Sequence, residues 1–169
     1  MNNFYYKCLP HKEINFGTFK LEAVKPEDIE VIRIWRNNQI SFLRQKKTIT
    51  KIDQINYFEK VIWPRYKLNN PSEILLSFKK SNTIIGYGGL VHIDWEGLSA
   101  ESSFLLNHKI DVNEIKYKDY MNSFFQLLFK IAFNYLNLRK LSSETFIERI
   151  IHIKYLEDIG FKRQKIQPN

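Results

Sequence analysis

The chain has 169 residues, of which 44% are hydrophobic and 15% aromatic, and its formal net charge is +8 at pH 7. This length and composition exclude an intrinsically disordered chain and predict one domain large enough to bury a core. The excess of basic residues favours an anionic partner, such as a nucleotide-containing cofactor or a phosphorylated substrate. Because the basic residues are scattered and form no dense patch, nucleic acid is not expected as a partner.

Cysteine content and hydropathy indicate the cellular compartment in which the protein is expected. The single cysteine, Cys8, excludes an internal disulfide and fits a reducing compartment. No signal-peptide pattern opens the sequence, and no apolar run approaches the roughly 18 residues of a membrane span. With so few cysteine and histidine residues, no metal site is predicted. We therefore expect a soluble, cytoplasmic protein with no membrane partner.

The first half of the chain shows the patterns of strands and two helices. Alternating apolar residues predict the strands, and Pro26 with the acidic residues after it is typical of the first turn of a helix. In chain order the predicted elements are an N-terminal arm over residues 1–15, a strand over 16–24, a helix from Asp28 to about Asn37, a helix that Thr50 or Asp53 caps and Pro64 closes, and a strand over 73–80.

Residues 83–107 form the most clearly patterned stretch and predict a hairpin with its turn at Trp95-Glu96-Gly97. Gly86, Gly88 and Gly89 lie in its first strand, where glycine is unfavourable. They indicate either a bulge or a place where something approaches the backbone closely. The alternative is that they only make room for a packed helix.

The second half predicts a polar loop over 108–119 and then a long helix whose apolar residues recur at helical spacing and face the core. The remaining elements are a strand over 140–147 with Glu144 at its centre, a helix over 150–158 ended by Gly160, and a strand that begins at Phe161. Antiparallel hairpins combined with one β-α-β crossover predict a single domain over 1–169, of class α/β (α+β).

Four stretches of the sequence follow one another in the order of a known superfamily. They are Ile85–Leu90, Ala100–Leu106, Ile131–Leu141 and Tyr155–Phe161, and they resemble the third strand, the fourth strand, the end of the central helix with the fifth strand, and the terminal helix of the GNAT acyl-CoA-dependent N-acyltransferases. The resemblance covers roughly residues 16 to 165. It implies a mixed, mostly antiparallel sheet flanked by helices, with acetyl-CoA as cosubstrate.

The same resemblance implies transfer of an acetyl group to a primary amine of a small acceptor. Ile34-Trp35-Arg36-Asn37 is similar to a branch that acetylates nucleotide-linked amino sugars in surface-glycan synthesis. A second branch that the pattern resembles acetylates ribosomal proteins, so a protein or peptide amine is the alternative. A catalytically silent GNAT-like binding module is the alternative of another class.

The chain departs from the family pattern in three places. The pyrophosphate loop aligns with 116–121, where Asp119 and Met121 occupy the glycine positions. The tyrosine that often protonates the departing thiolate is replaced by Leu156, and Tyr155 is the adjacent hydroxyl. Finally, little sequence follows Phe161, so we expect either a truncated chain or a homodimer in which a second copy completes the sheet.

The resemblance also implies the cofactor residues. Main-chain groups of Phe104, Leu105 and Leu106 would receive the pantetheine arm, in the manner of a strand added to a sheet edge. Lys116 and Lys118 would supply positive charge for the phosphates.

Acyl transfer to an amine requires a group that takes the amine's proton. Glu101 aligns with a fourth-strand glutamate that serves as the base in some family members; the alternative is a surface carboxylate. His92 is a second candidate because an imidazole can accept a proton near neutral pH; the alternative is a histidine bonded to a neighbouring carbonyl. Tyr155 is the candidate hydroxyl beside the departing thiolate.

Five further residues are candidates for binding the acceptor. Asp94 is one because it is expected to share a strand face with His92. Glu144 would bind a cationic or hydroxylated acceptor, or else pair with Lys140. The others are Trp35, Arg36 and Asn37, which would hold a sugar phosphate or else form a solvated helix end.

Overall fold

A computed structural model describes residues 4–109 and 114–164. Its strands are β1 (Glu13–Phe16), β2 (Phe19–Ala23), β3 (Ile74–Lys80), β4 (Thr83–Asp94), β5 (Ser99–Leu106) and β6 (Lys140–Ser143). Its helices are α1 (Ile29–Asn38), α2 (Lys51–Tyr57), α3 (Trp63–Arg65), α4 (Glu114–Phe129) and α5 (Ile150–Asp158). A 3₁₀ turn over Ile40–Phe42 follows α1, and π-helical turns over Phe58–Ile62 and Lys130–Tyr135 join α2 to α3 and end α4.

The strands form one sheet in the order β1-β2-β3-β4-β5-β6. Neighbouring strands pair antiparallel except β5 and β6, which are parallel because α4 carries the chain across between them. This mixed, mostly antiparallel sheet flanked by helices confirms the predicted fold class.

From Phe4 onwards, the N-terminal residues that the structure describes pack against the sheet and core and include strand β1. Gly17, with φ +58°, makes the turn between β1 and β2, so the strand predicted over 16–24 corresponds to β2, and β1 lies in the predicted arm. Ile14 in β1 is buried. The buried Tyr6 hydroxyl accepts a bond from the Leu75 N–H at 2.8 Å, which ties this segment to the central strand β3.

Local capping explains where α2 begins. Thr50 Oγ1 accepts from the Asp53 N–H at 3.1 Å and Asp53 Oδ2 accepts from the Thr50 N–H at 3.3 Å, a complete capping box. Pro64 does not close the helical run. It lies in the first turn of α3, where its missing N–H removes no helical hydrogen bond.

The glycines of β4 allow close approach of the neighbouring strands. A Cβ at Gly88 would overlap the carbonyl oxygen of Ser103 in β5, and one at Gly89 would overlap that of Ile74 in β3. Both overlaps are with backbone, which cannot move aside as a flexible side chain can. The close-approach interpretation of the glycines is therefore confirmed, and the approaching groups are strands rather than a packed helix.

A buried ion network joins β2, β3 and the start of α1. Lys79 Nζ lies 2.7 Å from Glu22 Oε1 and 3.4 Å from Asp28 Oδ1, and Ser77 donates to Asp28. Burial by itself would raise the pKa of Glu22, but the hydrogen bonds from Lys79 and Lys25 outweigh it and lower that pKa to about 2. Each buried charge has a partner, as burial of charge requires.

The predicted loop over 108–119 is shorter than expected because α4 already begins at Glu114. Residues 116–121, which align with the family's pyrophosphate loop, are helical, and Asp119 is exposed there. The stretch before α4 includes 110–113, which lie outside the described residues. The later turns of α4 pack as predicted, with Phe124 edge-on to Phe78 of β3 at 5.5 Å between ring centroids.

The sheet opens beyond the paired part of β5 and β6. The two strands pair from Ser99–Lys140 to Ser102–Ser143, and β5 then continues to Leu106 without β6. Because β6 ends at Ser143, Glu144 lies just beyond the strand that was predicted to contain it.

The C-terminal helix α5 has the predicted bounds, and Gly160 follows it with φ +106°, as a C-terminal glycine commonly does. Phe161 does not begin a strand; its ring packs edge-on against Phe125 of α4 at 5.6 Å. Within the described ranges, no helix is both long enough and apolar enough to cross a membrane.

Candidate active site

The free edge of β5 forms one wall of the opening. The Asn107 N–H donates to the Ile85 carbonyl of β4 at 2.9 Å. Main-chain groups of an antiparallel strand point alternately to its two sides, so Leu105 also faces β4, whereas Phe104 and Leu106 face away from it. In the described part of the chain no strand pairs with that side of Phe104 and Leu106, because β6 ends before it reaches them.

A β-bulge in β4 places His92 beside Glu101. The register between β4 and β5 shifts between Val91 and Asp94, and His92 has φ +50°, in the left-handed region. His92 Nδ1 lies 3.1 Å from Glu101 Oε2. The imidazole is 67% exposed and the carboxylate 19% exposed, so the histidine is the member of the pair that meets solvent.

The partner of His92 determines which ring nitrogen is available. An ionised carboxylate only accepts hydrogen bonds, so Nδ1 of His92 is the donor to Glu101. The other nitrogen, Nε2, then carries the lone pair. A carboxylate that orients an imidazole in this way prepares it to act as a base.

Arg44 completes the cluster, and the sequence analysis did not identify it. Its Nη2 donates to Glu101 Oε1 and to Glu144 Oε2, each at 2.6 Å. Arg44 is 51% exposed and Glu144 54% exposed. Glu144 therefore pairs with Arg44 and not with Lys140, the partner in the alternative interpretation, and both glutamates contact the same guanidinium. A basic residue in the link between two helices carries no sequence signal for this contact.

Two of the predicted acceptor residues hold loops. Asp94 Oδ1 accepts from the N–H groups of Glu96 and Gly97 at 3.1 and 2.9 Å, which fixes the β4–β5 turn. The Asn37 side chain donates to the Ile49 carbonyl and accepts from the Ile49 N–H, both at 2.9 Å. The bulge also breaks the alternation that would have set Asp94 on the same face as His92.

The other residues of the Ile34–Asn37 motif also have structural partners. Trp35 is 2% exposed and packs in the core, which makes it a packing residue and not a wall of the acceptor site. Arg36 Nε donates to Gln45 Oε1 at 3.2 Å. The motif thus positions the segment that follows α1.

Tyr155 is buried, and its hydroxyl donates to the Glu114 carbonyl at 2.9 Å. Burial and the nearby Glu114 raise the pKa of Tyr155. Lys118 lies with its ammonium 5.8 Å from the Tyr155 ring, and Lys116 is exposed on the same first turns of α4. Tyr155 and Lys118 therefore join α5 to the first turns of α4, and no contact among the described residues brings Tyr155 to the His92–Glu101 pair.

A second buried cluster lies on the opposite face of β5. The Tyr117 hydroxyl is 2.6 Å from His152 Nδ1, and Arg149 donates to that hydroxyl at 3.4 Å. The imidazole stacks on Phe104 with 6.3 Å between ring centroids. Burial, helped by Arg149, lowers the pKa of His152 to about 3. The histidine is thus neutral at pH 7, and its Nδ1 accepts a hydrogen bond from the Tyr117 hydroxyl.

A family model described as an acetyltransferase (GNAT) domain matches residues 21–169. The chain belongs to the GNAT acetyltransferase family. A comparison with curated proteins returned no match. Membership makes the chain an acetyl-CoA-dependent acetyltransferase, as the sequence predicted.

Solved structures with this GNAT fold include mutant forms of the spermidine/spermine N-acetyltransferase SpeG from Vibrio cholerae, at 19% identity and TM-score 0.72, covering 89% of this chain and 83% of that one. The V. cholerae spermidine N-acetyltransferase in complex with CoA and spermine matches at 16% identity and TM-score 0.66, over 89% and 84% of the two chains. A dodecameric structure of that enzyme matches at 17% identity and TM-score 0.66, over 89% and 82%. At these identities the likeness concerns the fold.

The open edge of β5 fits the cosubstrate of a GNAT domain. Phe104 and Leu106 present main-chain groups to which the pantetheine arm of acetyl-CoA can bond as an added strand would. Ser102 Oγ and Thr145 Oγ1, on either side of the point where the strands part, are buried and lack a hydrogen-bond partner among the described residues. Buried polar atoms usually have partners, so this place is suited to a polar ligand.

Proposed function

We propose that this GNAT domain transfers the acetyl group of acetyl-CoA to a primary amine of a small molecule, with His92 as the base. The observation that carries the proposal is the 3.1 Å contact between His92 Nδ1 of β4 and Glu101 Oε2 of β5. Strand β5 is the one whose free edge borders the opening. Glu101, the base expected from the family pattern, becomes the group that orients the imidazole.

The chemistry follows from the proton positions. Bound acetyl-CoA supplies a thioester, and the amine's N–C bond forms as the C–S bond breaks and the thiolate leaves. His92 Nε2 takes the proton of the amine, and Glu101 stabilises the imidazolium that results. Because the His92 side chain is exposed, the imidazolium can release that proton to water after each turnover, which restores the neutral imidazole.

The acceptor is proposed from the charges of the site. Glu101 and Glu144 are two carboxylates opposite one arginine, which suits a cationic amine. The structural relatives described as spermidine and spermine acetyltransferases support a small amine of this class. Nucleotide-linked amino sugars are the second candidate; two residues on which that interpretation rested, Arg36 and Asn37, are bonded to the 45–49 segment. Peptide amines are the third.

The test is a steady-state assay with acetyl-CoA and three acceptor panels: polyamines, amino-sugar nucleotides and short peptides. We expect turnover with a small amine and a fall in kcat of about a hundred- to ten-thousandfold in His92→Gln, the usual loss when a base is removed. Glu101→Gln should lower kcat less, because the amide still contacts the ring.

The control measures CoA affinity by calorimetry, which should be nearly equal in the wild type and in His92→Gln. Full activity of His92→Gln would remove the base from the mechanism. Turnover only with peptides would contradict the small-molecule acceptor, and CoA binding without turnover on any panel would favour a silent binding module.

A further inference from the structure

We propose that Gln39–Arg44, here called the strap, crosses the mouth of the opening between β5 and the segment after β6, and that acetyl-CoA must displace it to bind. The proposal rests on the proposed function only in that the cosubstrate enters along the free edge of β5. It assigns Gln39 and Arg44 a role in controlling access.

The strap is bonded to the β5 wall at two points. Gln39 Nε2 donates to the Leu106 carbonyl at 2.8 Å, and Arg44 donates to Glu101 at 2.6 Å. Leu106 is one of the two residues whose main-chain groups face the opening. Gln39 therefore occupies an acceptor that an entering pantetheine arm would use.

The strap also contacts the opposite wall, formed by the segment after β6. The same Arg44 nitrogen donates to Glu144 at 2.6 Å. The guanidinium of Arg149 lies over the ring of Phe42 at 6.0 Å from its centroid. Contacts to both walls from one short segment mean that the strap spans the opening and does not merely line one side.

The strap can be released with little loss of core packing. Its 3₁₀ turn contains no buried residue, Leu43 is only partly buried against the core, and Arg44 and Glu144 are about half exposed. Exposed ion pairs are weak because water competes for both partners. The segment beyond the strap is fixed separately, since the Asn37 side chain holds Ile49. Displacement is therefore limited to the residues between two anchored ends.

Release of the strap has a consequence for the acceptor. While Arg44 spans Glu101 and Glu144, its guanidinium occupies both carboxylates. Once it leaves, two carboxylates that were bonded to one nitrogen remain close together and can take the ammonium of an acceptor. Binding of acetyl-CoA should thus precede and favour binding of a cationic amine.

The experiment measures amide hydrogen exchange in peptides that cover residues 39–44, with and without CoA, together with CoA affinity by calorimetry. We expect CoA to speed exchange in the strap. Arg44→Gln should bind CoA up to about fivefold more tightly, the ratio that corresponds to an exposed ion pair of ordinary strength. Gln39→Leu, which removes the bond to Leu106, should act in the same direction.

The matched control is Arg163→Gln, which removes an exposed arginine–glutamate pair at Glu157, away from the strap. Its CoA affinity should equal that of the wild type. CoA binding that leaves strap exchange unchanged or slower would overturn the strap proposal even if the enzyme turns over. Failure of acetyl transfer with CoA-dependent strap opening intact would instead contradict the proposed function.

Discussion

His92 combines a strained backbone with the proposed catalytic contact. Its φ of +50° belongs to a region that residues with a side chain rarely occupy, and such positions recur at functional sites. The bulge that imposes this φ also directs the imidazole towards Glu101, so the strained backbone serves the proposed catalytic contact. Stability therefore favours glycine at this position, whereas the proposed catalysis requires histidine.

We predict that His92→Gly raises the stability of the protein and lowers its activity. Glycine adopts this φ without strain, so the free energy of unfolding should rise by up to about 1 kcal/mol. Turnover should fall about a hundred- to ten-thousandfold, as for loss of a base. Urea denaturation and steady-state assays measure the two quantities. His92→Gln keeps the strain and serves as control; a His92→Gly protein less stable than His92→Gln would show that the backbone at this position is not strained.

Sequence reasoning identified His92, Glu101 and Glu144, which the structure joins in one cluster: Arg44 contacts both glutamates, and His92 contacts Glu101. It did not identify Arg44, because that residue is 57 and 100 positions from its partners and no local pattern encodes such a contact. It also assigned acceptor roles to Asn37 and Asp94, whose side chains bond to nearby backbone. Asparagine and aspartate often do so in turns and at helix ends, and only the structure shows which use applies.

At the scale of elements, His152 joins α5 to α4 and β5. Its ring lies between Phe104 and Tyr117, and Arg149 is the charged group that faces it. A pKa of about 3 means that the folded protein does not bind a proton there until the medium is strongly acidic. The unfolded chain binds that proton near pH 6.5, the ordinary value for histidine.

The lowered pKa of His152 makes the stability of the protein depend on pH. Between pH 6.5 and 3 the unfolded state holds one more proton at His152 than the folded state, so the free energy of unfolding falls as the pH falls. The slope contributed by this residue should approach ~1.4 kcal/mol per pH unit. Urea denaturation at pH 7, 6 and 5 measures it, above the range in which protonation of Glu22 adds to the loss.

His152→Gln should show a shallower slope over the same range, whatever its stability at pH 7. His11→Gln, which removes an exposed imidazole, is the control and should keep the slope of the wild type. Identical slopes in all three proteins would contradict a buried, neutral His152.

The elements were predicted best where apolar residues repeat. The bounds of α5 and the β4–β5 hairpin followed from their patterns, as did the capped start of α2. The start of α4 was predicted too late because residues 114–120 are mostly exposed and carry no apolar stripe, so they resemble a loop. Residues 116–121, which align with the family's pyrophosphate loop, are therefore helical, and the phosphate-binding roles expected of Lys116 and Lys118 stay predictions.

For the whole molecule, the fold class could be predicted from the order of the elements, because neighbouring strands in sequence are neighbours in the sheet. The enzyme class followed from the resemblance of four stretches to the GNAT family. The acceptor could not be predicted, since it depends on side chains that meet across the opening. The expected homodimer stays a prediction.

The parallel pairing of β5 with β6 also bears on how the chain folds. Strands β1 to β5 each pair with the next strand, and the β4–β5 hairpin that carries His92 and Glu101 closes over a short turn. Pairing of β6 must instead close a loop that contains all of α4, which costs more chain entropy before any contact is gained. We expect pulse-labelling hydrogen exchange to protect β4 and β5 before β6. Simultaneous protection of the three strands would contradict this order. In the expected order, the folding chain forms the proposed His92–Glu101 pair before it forms the crevice for the cosubstrate.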